Sequence, residues 1–155
     1  MAELEEWLAR MERTADDFAA AIQGASEIIR SRRPDGKNWA AKEIVCHLRD
    51  TEELFFNRFQ IILTVNEPKF PPADADRWAA ERQYLRNDAG EAISAFRARR
   101  EDTLQFLRGL KPEQWERACI HATRGRMTVK DYVGLMAAHD NIHLEQIKRA
   151  LAGQP

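Results

Sequence analysis

Apolar residues recur at intervals of three and four through most of the chain, the spacing that lays a stripe along one face of an α-helix. From Ala2 to about Arg30 the stripe is Leu4, Trp7, Leu8, Met11, Ala15, Phe18, Ile22 and Ile29. One long helix is expected there, with Arg30, Arg32 and Arg33 near its end, where cations complement the helix dipole. Pro34-Asp35-Gly36 then makes a turn. A second helix is expected from about Trp39 to Val65, N-capped by Asn38, with Ile44, His47, Leu48, Thr51, Leu54, Phe55, Arg58 and Ile62 inward. Pro68, Pro71 and Pro72 stop it. The segment from Asn66 to Asp74 and the short stretch around Trp78 receive no regular element. A third helix, from about Asp88 to Leu107, carries Ala92, Phe96, Thr103, Leu104 and Leu107 on its apolar side, and Gly109 follows its end. Pro112 opens a short turn with Trp115, and a loop is expected from Ala118 to Met127. The fourth helix runs from about Val129 to Leu151, opened by a capping-box pair, Thr128 and Asp131, and closed at Gly153. It turns Tyr132, Leu135, Met136, His139, His143, Ile147 and Ala150 inward. No segment shows convincing strand alternation. The expected fold is all-α, a four-helix bundle forming a single domain over residues 1–155.

Composition narrows the partners. The 24 Lys and Arg nearly cancel the 25 Asp and Glu, which gives no global reason to expect nucleic acid or a membrane surface. No run approaches the roughly 18 apolar residues of a spanning helix, and the acidic start Met1-Ala2-Glu3-Leu4-Glu5-Glu6 fits no signal peptide. A soluble, cytoplasmic protein acting on a small molecule is expected. Cys46 and Cys119 stand alone, without a C-x-x-C, and are expected as free, buried thiols.

Candidate chemistry rests on the histidines. Three of the four lie on inward helix faces. His139 and His143 are four apart, which stacks two imidazoles on one face, about 6 Å apart along the axis. Two such rings can reach one ion at about 2.0–2.1 Å each. His47 lies on the inner face of the second helix and joins them if the second and fourth helices are neighbours. Ordinary core or surface histidines are the alternative at this spacing. Unpartnered inward imidazoles, however, would cost a few kcal/mol of desolvation, which a metal offsets. Asp50, three residues after His47, is the candidate catalytic carboxylate, either orienting an imidazole or accepting a proton. Asp140 points about 100° away from His139. His121, in the loop, is expected as a surface residue, with the mouth of the site as the other option. Arg58 is expected in a salt bridge to a neighbouring helix, with an anionic substrate group as the other option.

Two segments carry a family pattern. Asn38-Trp39 followed by His47-Leu48-Arg49-Asp50-Thr51-Glu52 resembles the second helix of the DinB-like (damage-inducible) four-helix superfamily, where a Trp opens the helix and a ligand His follows in an H-L-x-D-x-E context. His121-Ala-Thr-Arg-Gly125 and His139-Asp-Asn-Ile-His143-Leu-Glu-Gln-Ile147 resemble that family's H-x-x-x-G loop and its H-D-x-x-H-x-x-Q-I helix. The resemblance implies a three-His site, His47, His139 and His143, for one divalent transition metal ion such as Zn, Ni, Fe or Mn, with coordination positions left open. It also implies kinship with S-transferases and isomerases that use low-molecular-weight thiols such as bacillithiol, mycothiol or glutathione. A thiol-dependent S-transferase is therefore the expected activity. A metal-dependent hydrolase of small substrates and a non-catalytic, stress-associated metal- or ligand-binding bundle are the alternatives. Related bundles often pair, which leaves room for a homodimer. A zincin protease is disfavoured, because Asp140 stands where H-E-x-x-H has its Glu. A ferritin-like di-iron site is disfavoured too, because Ile44, Met136 and Asp140 stand three residues before the histidines where Glu-x-x-His needs Glu.

Overall fold

Helix α1 spans Ala2–Ile22 and buries Leu4, Leu8, Met11, Ala15, Phe18 and Ile22, as its stripe requires. In this computed structural model, which describes residues 2–155, α1 stops eight residues earlier than the expected Arg30. Gly24 takes the left-handed conformation (φ +81°), which ends the helix. Ser26 then caps a separate short helix α2 (Glu27–Ser31), its hydroxyl accepting from Ile29 N at 3.2 Å. Helix α3 covers Ala41–Thr64. It starts two residues later than expected, because the Asp35 carboxylate takes the Asn38 backbone and side-chain N–H groups into the preceding turn. The N-cap is Ala40, whose N–H donates to Glu43 Oε1 at 3.0 Å.

The stretch around Trp78 is helix α4 (Ala75–Glu81), capped by Asp74. Helix α5 (Ala89–Arg108) is capped by Asp88, and α6 (Val129–Leu151) by the Thr128–Asp131 box that the sequence suggests. The expected loop from Ala118 to Met127 is instead an antiparallel hairpin, β1 (Ala118–His121) with β2 (Gly125–Thr128). Four-residue strands are too short to show alternation. The hairpin also recruits the proline segment: Ile120 N donates to the Pro68 carbonyl at 2.8 Å, and Phe70 N donates to the Ile120 carbonyl at 3.2 Å.

α1, α3, α5 and α6 form the four-helix bundle. α1 lies against α5 and α6, and α3 lies against the same two from the other side. The second and fourth long helices are therefore neighbours, as the histidine argument needs. No described helix is long and apolar enough to cross a membrane.

The hydrophobic core is divided. One cluster gathers around Phe18, Ile44, Tyr84, Phe96 and Ile147, the other around Met11, Phe59, Leu104, Tyr132 and Met136. Each long helix contributes a buried polar residue to one network: Thr14, Glu52, Arg100 and Asp140. Arg100 donates to both Asp140 oxygens at 2.7 and 3.0 Å, to Glu52 Oε1 at 2.9 Å and to the Met11 carbonyl at 2.9 Å. The Thr14 hydroxyl donates to Asp140 Oδ2 at 2.5 Å. Pairing of this kind offsets the cost of burying a guanidinium. Burial opposes its charge, but the two carboxylates more than offset this and hold its pKa above the ordinary arginine value.

Candidate metal centre

α6 stacks His139 and His143 one turn apart, and α3 brings His47 to the same level. One nitrogen from each ring lies within 4.8 Å of the other two. His139 Nε2 and His143 Nε2 are 2.9 Å apart, and the His47 ring centroid is 5.7 and 4.9 Å from those of His139 and His143. Trp39 flanks His47 at 5.0 Å and Phe55 flanks His139 at 5.9 Å. Nitrogens bound tetrahedrally at about 2.0–2.1 Å stand about 3.3 Å from one another, so the observed separations bracket what one ion needs.

Two further features fit an ion. His47 Nδ1 is buried without a hydrogen-bond partner, the only imidazole atom among five such side-chain atoms in the described residues. His143 Nδ1 lies 2.7 Å from Gln146 Oε1. The amide oxygen can only accept, so it holds the proton on Nδ1 and leaves the His143 Nε2 lone pair facing His139. Burial, and then repulsion from the other imidazoles for His47 and from His143 and Arg100 for His139, pushes the pKa of each down from 6.5 to about 3. Burial also lowers that of His143. At neutral pH all three are uncharged nitrogen donors, the form a metal requires.

Asp50 and Asp140 make their hydrogen bonds away from the imidazoles. Asp50, expected beside His47, spends its oxygens on Tyr84 (2.7 Å), Arg49 (2.9 Å) and Arg82 (2.9 Å), with Arg99 at 3.5 Å. None of its hydrogen bonds goes to an imidazole. Burial raises its pKa, but the hydrogen bonds from Arg49, Tyr84 and Arg82 outweigh this and hold it at about 2. Such an acid is a poor proton acceptor near neutrality, and it ties α3 to α5 and to the segment after α4. Asp140 turns into the polar layer, as its 100° offset predicts. Cys46 and Cys119 are buried and free. Burial raises the Cys46 pKa to about 11, so it is no nucleophile.

The profile of the DinB superfamily matches residues 6–147. The chain belongs to the DinB superfamily. This DinB chain is 23% identical to OB0413 of Oceanobacillus iheyensis, named as a candidate metal-dependent hydrolase, over 97% of this chain and 86% of that one. It is also 23% identical to YfiT of Bacillus subtilis, named in the same way, over 85% and 77% of the two chains. The solved structure of YfiT, described as a probable metal-dependent hydrolase with an unusual four-helix bundle topology, superposes with a TM-score of 0.89 at 20% identity, covering 98% of this chain and 89% of that one. A mycothiol-dependent maleylpyruvate isomerase superposes with a TM-score of 0.74 at 11% identity, covering 93% and 60%. These likenesses establish the shared bundle.

Two clefts reach the imidazoles of this DinB protein. The first, about 360 Å³, is lined by His47, His143, Gln146, Trp39, Lys37, Asn38 and Asp76. The second, about 340 Å³, is lined by His139, Phe55, Arg58, His121, Arg124, Tyr132 and the proline segment at Pro71 and Pro72. His121 lines this second cleft together with His139. Its Nδ1 accepts from the Thr123 and Arg124 N–H groups, both at 3.2 Å, which shapes the hairpin turn. Gln146 is the Gln of the H-D-x-x-H-x-x-Q-I pattern, whereas Asp76 and Arg124 did not stand out in the sequence, because each comes from a short helix or a turn whose place beside the rings depends on tertiary packing.

Proposed function

We propose that this chain is a metal-dependent enzyme that brings a low-molecular-weight thiol and an electrophilic small molecule together, an S-transferase with His47, His139 and His143 holding one divalent ion. The observation that carries this reading is the pair of separate clefts on one cluster of neutral imidazoles, one lined by His47 and His143 and the other by His139. Two clefts suit two reactants. A divalent ion held by three imidazoles supplies a Lewis acid that lowers the pKa of a thiol or water ligand.

The protein's own groups do the rest. His143, oriented by Gln146, and His47 present nitrogens from one cleft while His139 presents its own from the other. Trp39 and Phe55 screen the rings from bulk water. Lys37, Asn38 and Asp76 give the first cleft a polar lining suited to the peptide-like body of a thiol cofactor.

Hydrolysis of a small substrate is the second reading, favoured by one observation. Asp76 is exposed and lines the cleft of His47 and His143, where a free carboxylate can accept a proton from water.

The test combines metal analysis with turnover. Protein purified without a His-tag should contain about one equivalent of a transition metal, lost in His47→Ala, His139→Ala and His143→Ala. Metal-loaded protein should consume free thiol when offered an electrophile such as 1-chloro-2,4-dinitrobenzene. Thiol-independent turnover of a model ester would favour hydrolysis instead. Metal binding without either activity would sink both catalytic readings.

A further inference from the structure

Arg58 and Arg100 are the two buried arginines among the described residues, and they are treated differently. Arg100 has two carboxylates. Arg58, 8% exposed, has none among the described residues, contrary to the interhelical salt bridge its position suggested. Its Nη1 donates to the Tyr132 hydroxyl at 2.9 Å and its Nη2 to the Pro71 carbonyl at 2.8 Å, and its guanidinium carbon lies 4.9 Å from the centre of the Phe70 ring. Every one of these partners is neutral. They fix the plane of the guanidinium without cancelling its charge, and burying an unanswered cation is expensive unless a ligand answers it.

The place where that charge is available is the second cleft. Arg58 lines it together with His139. Leu54, Phe55, Leu135 and Pro72 give it apolar walls, and Arg124, exposed on the hairpin turn, stands at the same cleft. No acidic residue lines it.

We infer that this cleft binds a small molecule that carries a carboxylate on an apolar body, with the Arg58 guanidinium as the group that recognises the carboxylate. The inference rests on the reading above that the imidazole cluster is the reaction centre. It adds that the non-thiol substrate is an organic acid, held by its carboxylate so that its reacting end lies toward His139. Tyr132 and Pro71 act as positioning groups, because they set the guanidinium that a planar carboxylate would meet.

Calorimetric titration tests this with 4-phenylbutyrate as probe and its uncharged amide as control, on wild type, Arg58→Met, Arg58→Lys and His47→Ala, with metal content measured on the same samples. The acid should bind wild type at least tenfold more tightly than the amide. Arg58→Met should weaken the acid at least tenfold and leave the amide unchanged, and His47→Ala should still bind the acid. If Arg58→Met loses its helical circular dichroism, Arg58→Lys decides. It keeps the charge but not the fork, and about fivefold weaker acid binding is expected. Equal binding of acid and amide, or an acid affinity indifferent to Arg58, overturns the inference. So does loss of acid binding in His47→Ala, which would mean that the imidazole cluster reads the carboxylate. Arg58-dependent binding to wild type that contains and takes up no metal would instead overturn the metal-centre reading and leave the carboxylate site standing.

Discussion

Arg100 grips both oxygens of Asp140, at 2.7 and 3.0 Å, one residue along α6 from His139. The same guanidinium holds Glu52, five residues along α3 from His47. An arginine on α5 thus ties together the two helices that carry the imidazoles. A helix slipped by one residue would turn its histidines through about 100°. The ion pairs of this layer, which such a slip would break, therefore protect the geometry of the site.

Arg100→Met would leave Glu52 and Asp140 buried without their cation. It should lower the unfolding free energy by about 3–5 kcal/mol, the usual consequence of breaking one side of a buried ion pair. Adding Glu52→Gln and Asp140→Asn removes the stranded charges and should recover part of that loss. Urea denaturation of the single and triple variants checks this. A triple variant no more stable than the single would show that packing, not charge, made the layer matter.

Acid should destabilise the metal-free protein through its histidines. His47 and His139 have folded pKa values near 3 against 6.5 when exposed. Between those values the unfolded chain binds more protons, so stability rises with pH. Their contribution is present above about pH 6.5 and is lost as pH falls toward 3, at up to about 1.4 kcal/mol per pH unit for each imidazole. Asp50, held at about 2, adds a loss only below the ordinary carboxylate range. Unfolding free energies of chelator-treated protein at pH 7 and pH 5 should differ accordingly, and His139→Gln should shallow the slope by about one proton. A flat profile would mean that the rings are not desolvated.

Among the described residues Gln146 hydrogen-bonds no imidazole but His143, whose tautomer its amide oxygen sets. Gln146→Leu should keep the fold and weaken metal affinity by about 10–100-fold, the usual effect of losing a group that orients a ligand. Competition against a chromophoric chelator measures this. An unchanged affinity would mean that His143 needs no orienting partner.

The helices that matter most were legible because burial on one face repeats at 3.6 residues over twenty or more positions. The imidazole cluster was legible for the same reason: His47, His139 and His143 sit in phase with those stripes. Arg100 and Glu52 also sit in phase, four residues after Phe96 and Leu48, but a charged residue inside an apolar stripe gives no sign of which partner will answer it. The hairpin from Ala118 to Thr128 escaped because its strands are held by backbone bonds to each other and to the proline segment. Backbone bonding leaves little trace in side-chain pattern. The partners of Asp50 were not legible, because helical spacing fixes the direction of its Cβ and not the arginines that capture its carboxylate.

Gly134 illustrates a constraint that periodicity cannot show. A Cβ there would stand 2.9 Å from Trp7 Cη2 and 3.0 Å from Cζ2 and Cζ3, so α6 and α1 meet with a rigid indole against bare backbone. Alanine would gain about 1 kcal/mol of helix propensity but must displace an indole wedged between two helices, an overpacking penalty of about 1–3 kcal/mol. Overpacking should outweigh propensity, and Gly134→Ala should lower the thermal midpoint. In a Trp7→Leu background the clash is gone and the same substitution should become neutral or stabilising. The sign reversal between the two backgrounds is what a thermal melt should read. A Gly134→Ala variant stabilised in the wild-type background would show that the indole yields freely and that the α1–α6 contact is looser than 2.9 Å implies.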